Sequence, residues 1–268
     1  MGRGLAQLLC QSGLHVTLVN RNPASLASAR DEVSRRLGRL VERGNLTAEQ
    51  RGAALRRLES AQDLAAAASA DLVLEAVYER LHTKTEVLQA LHQVCSAETI
   101  FATNTSSFSI TLLGALCGRP ERLLGLHFFN PAPLMQLVEI VRGQATSDET
   151  FQMSWQFVER LGKTPVAVGD SAGFITNRLL FPMINEAALV LMEGLATREA
   201  VDTAMKLGAN HPMGPLELAD LVGLDVCLQI LEHLQEELGD KYRPCPLVRR
   251  LVAAGHLGRK TGQGFYSY

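Results

Sequence analysis

Over the first 170 residues, short apolar runs alternate with longer stretches in which apolar positions recur every three to four residues. The short runs predict strands at 15–19 (H-V-T-L-V), 71–77 (D-L-V-L-E-A-V), 99–103, 123–128, 136–141 and 164–168. The longer stretches predict helices at 2–13, 23–43, 47–58, 81–95, 109–117 and 148–161. Pro23 suits the first turn of its helix, and the T-A-E-Q beginning at Thr47 carries polar acceptors suited to a helix start. The alanine cluster at 65–68 reads as helical. Strands alternating with helices of 10–15 residues imply a mostly parallel, doubly wound α/β sheet. After Gly169 the pattern changes to helical periodicity alone, broken at Gly194, His211-Pro212, Gly223, Pro244 and Gly255. Two domains are expected, 1–170 and 171–268, with the boundary near 170–173 and an all-helical C-terminal part.

Composition narrows the class. The chain has 268 residues, 47% apolar and 20% charged, with a formal net charge of -2. That balance is globular, and the charge argues against a nucleic-acid binder held by phosphate contacts. The five cysteines are scattered with no C-x-x-C pair, so neither a disulfide framework nor a metal site is expected. No apolar run reaches the roughly 18–20 residues of a membrane span, and no secretory signal is visible. A cytoplasmic location is expected, or the mitochondrial matrix if a leader is missing.

A dinucleotide site requires a strand, a G-x-G-x-x-G turn and a helix, with the pyrophosphate at the helix N-terminus. Here the chain opens M-G-R-G-L-A-Q directly on a helix, and H-V-T-L-V follows at the distance of a second strand. Gly2 therefore reads as the end of a glycine-rich loop. The fold expected is a Rossmann-type doubly wound sheet lacking its first strand, in an N-terminally truncated chain. Asn20 ends the strand where an acid ordinarily accepts from the ribose hydroxyls of NAD. Asn20 does not repel a 2′-phosphate, and Arg21 beside it could bind one, which leaves NADP open beside NAD. An ordinary polar turn, N-R-N-P, is the alternative.

His127 closes a strand in G-L-H-F-F-N-P and Glu139 lies on the next strand in L-V-E-I. A turn between the two can bring them into hydrogen-bond reach, fixing the tautomer of a base. By spacing alone, most such pairs are structural.

Taken together and in order, A-T-N-T-S-S (102–107), G-L-H-F-F-N-P (125–131), L-V-E-I (137–140), G-F-I-T-N-R-L-L (173–180), H-P-M-G-P-L-E-L-A-D-L-V-G-L-D and G-R-K-T-G-Q-G-F-Y resemble the L-3-hydroxyacyl-CoA dehydrogenases over essentially the whole chain, and within them the bacterial-type 3-hydroxybutyryl-CoA enzymes. The resemblance implies reversible oxidation of a 3-hydroxyacyl-CoA with NAD as hydride acceptor. It implies His127 as general base, Glu139 as its orienting acid, and Ser106 and Asn177 on the substrate oxygen. Cofactor contacts would fall on Glu79, Lys84, Ser106, Asn130 and Lys260, with Gly2 and Asn20 as above. Ser34, Arg36 and Arg39 would meet the CoA end of an acyl-CoA substrate, and the helical domain would form a homodimer. Bland readings stand beside these: Ser106 as a helix cap, Asn177 satisfying buried backbone, and Lys84, Lys260 and the arginines as solvated charges. Competing functions are a non-catalytic dimeric or acyl-CoA-binding relative, and a dehydrogenase of a free hydroxy or sugar acid on the same scaffold.

Overall fold

In a computed structural model describing all 268 residues, the chain divides into two compact units, Met1–Asp170 and Ser171–Tyr268. The first opens with α1 (Gly2–Gln11), β1 (Val16–Val19), α2 (Pro23–Glu42), α3 (Ala48–Arg56) and β2 (Leu58–Ala61). There follow β3 (Leu72–Glu75), α4 (Leu81–Val94), β4 (Ile100–Thr103), α5 (Ile110–Cys117), β5 (Leu123–Phe128), β6 (Leu137–Arg142), α6 (Asp148–Arg160) and β7 (Thr164–Gly169).

Local chemistry sets several of these boundaries. The Asn22 side chain accepts from the backbone N–H groups of Ala24 and Ser25, with Pro23 next to it, and α2 begins there. At α3, Thr47 and Gln50 form a reciprocal capping box. Gly118, at φ 77°, ends α5 in a conformation that costs a side-chain-bearing residue more. One expectation is corrected here. Leu58 does not end a helix; it starts β2, pairing with Val16 in a parallel ladder. The alanine cluster forms a short 3₁₀ turn, Leu64–Ala67.

The strands form two pieces, β1-β2 and β3-β4-β5-β6-β7. All pairs are parallel except β5 with β6. β1 and β3 are not paired with each other, and α1 bridges the two pieces. Its Leu5 and Leu8 pack with Ile100, Ala102, Leu124 and Leu126 of the larger piece. On the opposite side of the same helix, Ala6 and Cys10 pack with Val33, Leu37 and Leu58. Fully burying one leucine stabilises by about 1.5–3 kcal/mol, so this short helix contributes substantially to holding the layers. β4 and β5 are buried along their whole length, as strands covered on both faces must be.

The second unit holds α7 (Thr176–Met192), α8 (Arg198–Gly208), α9 (Pro215–Val222), α10 (Leu224–Leu238) and α11 (Pro246–Ala253) around a core that includes Ile184, Leu216, Leu231 and Val248. It contains no strand. No helix of the protein is long and apolar enough to cross a membrane.

Candidate active site

In a doubly wound sheet, ligands bind beyond the carboxyl ends of the strands. Glu75 ends β3, Thr103 ends β4 directly opposite it, and His127 stands one residue before the end of β5. Because β6 runs antiparallel to β5, Glu139 faces His127 in register. The two side chains meet, with His127 Nδ1 2.7 Å from Glu139 Oε2. Both are buried, His127 at 6% exposure and Glu139 at 0%. The Phe129 ring lies 4.5 Å from the imidazole, centroid to centroid. A carboxylate fully withdrawn from water and bound to Nδ1 favours the tautomer with its proton there. Nε2 then carries the lone pair.

The N-T-S-S loop follows β4 and is tied to the His127 segment by Asn104, whose side-chain oxygen accepts from the backbone N–H of Phe128 at 3.0 Å. Glu79 organises this loop. One of its oxygens accepts from the Thr105 hydroxyl at 2.5 Å, the Ser106 N–H at 2.9 Å and the Ser107 hydroxyl at 2.9 Å. The other takes the Lys84 ammonium at 3.1 Å. Burial raises the Glu79 carboxyl, but Lys84 and the donors of Thr105 and Ser106 outweigh it and hold it below the usual carboxylate range. Ser106 is not the cap of the following helix. Ser109 is, accepting from Leu112 N–H.

The other expected residues are placed as follows. Lys84 is not a solvated charge: it is 1% exposed and enclosed by Glu75 and Glu79. Asn130 is exposed just after β5. Asn20 is exposed, and its side-chain oxygen accepts from Asn22 N–H at 2.8 Å, closing the turn. Gly2 starts α1, where an added Cβ would meet nothing within 4 Å. On α2, the Ser34 hydroxyl accepts from Arg51 at 3.0 Å, Arg36 pairs with Glu32, and Arg39 is exposed in the last turn. In the helical unit, Asn177 is buried on α7 and Lys260 pairs with Asp225.

Sequence reasoning missed Glu75, Thr103 and Asn104. The signal for Glu75 was an acid at the end of an otherwise apolar strand, nine residues before a lysine on the next helix. That spacing means little until the helix folds back over the strand end.

Two family models match, and together they span almost the whole chain. The 3-hydroxyacyl-CoA dehydrogenase NAD-binding domain matches residues 1–171, and the 3-hydroxyacyl-CoA dehydrogenase C-terminal domain matches 173–268. The chain is 49% identical to a probable 3-hydroxybutyryl-CoA dehydrogenase of Deinococcus radiodurans, covering 100% of this chain and 96% of that protein. It is 48% identical to a 3-hydroxybutyryl-CoA dehydrogenase of Bradyrhizobium diazoefficiens, covering 100% and 92%. The crystal structure of an (S)-3-hydroxybutyryl-CoA dehydrogenase from Ralstonia eutropha superimposes with a TM-score of 0.98 at 45% identity, covering 100% of this chain and 95% of that one.

Proposed function

This chain belongs to the 3-hydroxyacyl-CoA dehydrogenase family, and on that premise we propose that His127 is the general base of its reaction, oriented by Glu139. The protein is an NAD-dependent oxidoreductase acting at the C3 hydroxyl of a 3-hydroxyacyl-CoA. The observation that carries the proposed roles is the buried 2.7 Å contact between His127 and Glu139 at the carboxyl end of the sheet. His127 Nε2 takes the proton of the 3-hydroxyl as C3 becomes a carbonyl, and Glu139 stabilises the imidazolium that results. The Phe129 ring packs beside the imidazole, tilted, with the centroids 4.5 Å apart. Ser106, held by Glu79, binds the substrate oxygen, and Asn177 is assigned to substrate binding by its place in the family motif.

The residues present suit NAD. No acid stands in the first turn of α1, so the positive end of its dipole suits a pyrophosphate. Gly2 would let the backbone approach it, and Asn20, Glu79, Asn130 and Lys260 would make further contacts, with Lys84 acting from behind Glu79. When bound, NAD supplies the acceptor for the hydrogen and electron pair that leave C3.

The anionic CoA end is assigned to Ser34, Arg36 and Arg39 on α2, and the acyl chain to the short 3-hydroxybutyryl class named in the relatives. A homodimer and an aqueous compartment, cytoplasm or mitochondrial matrix, complete the reading.

The test is NADH oxidation with acetoacetyl-CoA followed by absorbance. His127→Ala is expected to lower kcat by about 10²–10⁴-fold, with Glu139→Gln also impaired. A His127→Ala enzyme within a few-fold of the parent would remove the imidazole from the chemistry.

A further inference from the structure

Behind the candidate site, at the junction of β3 and β4, lies a carboxylate that the chemistry above does not use, Glu75, bound to the Lys84 that backs Glu79. Glu75 has no exposed side-chain surface and is satisfied on both oxygens. One accepts from the backbone N–H of Val77 at 2.7 Å and from the Lys84 ammonium at 3.0 Å. The other accepts from the Thr103 hydroxyl at 2.6 Å and from the same ammonium at 3.1 Å. Lys84 in turn reaches Glu79 at 3.1 Å, and Glu79 collects the Thr105, Ser106 and Ser107 donors. A second route leaves Glu75 through Thr103, whose hydroxyl oxygen accepts from Thr105 N–H at 3.2 Å. Both routes end on the loop that carries Ser106.

We propose that Glu75 is a positioning residue for the dehydrogenase reaction: it immobilises the Lys84 ammonium against the sheet so that Glu79 and the Thr105–Ser107 loop are held in one geometry. The inference rests on the assignment of Ser106 and His127 to the active site.

The physical argument turns on which carboxylate is free to move. Glu79 is partly exposed, its side chain at 28%, and alone it could swing with Lys84 toward solvent. Glu75 cannot, because it sits on a strand end pinned by register and by four donor contacts. An ammonium clamped to Glu75 is a stationary charge, and Glu79 is fixed by bonding to it. Two carboxylates around one cation is a costly arrangement to bury if only stability is at stake, because an apolar replacement is often as stable or more so.

The test uses the full chain with Glu75→Gln, which keeps shape and the acceptor for Thr103 but removes the charge, and with the double variant Glu75→Gln/Lys84→Met, which removes both charges together. Glu75→Gln is expected to fold, by circular dichroism, with a lowered Tm, and to lose at least tenfold in kcat/KM for acetoacetyl-CoA. The double variant is expected to recover Tm without recovering kcat/KM, which reads on the Glu75–Lys84 pair as a unit, while the Glu75→Gln value reads on Glu75 itself. Should Glu75→Gln be too unstable to assay, Glu75→Asp, which keeps the charge on a shorter arm, is measured in its place against the same thresholds. The proposal is overturned if Glu75→Gln keeps kcat/KM within twofold, or if the double variant regains activity along with stability. His127→Ala measured in parallel separates the two failures. If that variant stays active, the assignment of the site has failed; if it is dead while Glu75→Gln is normal, only the positioning role has.

Discussion

Cys227 lies fully buried on α10, and burial, with Asp225 and Asp220 nearby, pushes its thiol up to about 12. Burial likewise raises the thiols of Cys10, Cys95 and Cys117, and all five cysteines are free and buried. Because the thiolate is the reactive form, the native protein is expected to show almost no reaction with a thiol-specific disulfide reagent over minutes at pH 7.5. All five should react in denaturant. Rapid labelling of Cys227 in the native protein, located by peptide mass analysis, would contradict this burial. At this scale the candidate site was legible where the residue's partner lies across a single turn. His127 and Glu139 sit on consecutive strands, so the pairing could be anticipated from the chain. Lys84 could not be placed the same way. An isolated lysine on a helix reads as solvated, and only the return of α4 over the end of β3 puts it between two carboxylates.

Buried acids tie elements together beside the apolar core. In the helical unit, Asp202 accepts from Leu216 N–H at 2.9 Å and Glu217 N–H at 3.0 Å, capping α9 from another helix. Asp220 accepts from Phe265 N–H at 2.9 Å and Tyr266 N–H at 2.8 Å, tying the C-terminal segment down. The Tyr266 hydroxyl donates to Asp202 at 2.8 Å and joins the two anchors. Gly264 runs so close that an added Cβ would stand 2.0 Å from Asp220 Oδ1 and 2.7 Å from Gly258 Cα. Gly264→Ala is therefore expected to destabilise by about 1–3 kcal/mol. Calorimetry should show Tm lowered by on the order of 4–8 °C per kcal/mol for a unit of roughly 100 residues. An unchanged Tm would mean the tail has room that the packing denies it. The glycine was visible in G-Q-G-F-Y, but its reason was not, because Asp220 is far away in the chain. β2 was overlooked for a related cause. L-E-S-A has too few apolar positions to announce a strand, and only its ladder with β1 makes it one.

For the whole molecule, large apolar side chains stand exposed on the helical unit, among them Leu179 at 69%, Leu195 at 76% and Leu207 at 82%. The homodimer proposed above would give such side chains something to cover them. Sedimentation velocity at micromolar concentration is expected to give a species of twice the chain mass, and a single species of monomer mass would refute it. What the sequence alone determined was the alternation of strands and helices, the turn to all-helical periodicity after Gly169, and the order of motifs that marks the family. These follow from period and local capping, which depend on residues within a few positions of one another. A sheet lacking its first strand was expected from the sequence; what only the tertiary structure decided was how α1 packs against both pieces of that sheet, and the buried charges behind the Ser106 loop. Those depend on contacts between residues distant in the chain, where the energy of a buried charge is set by neighbours that spacing does not reveal.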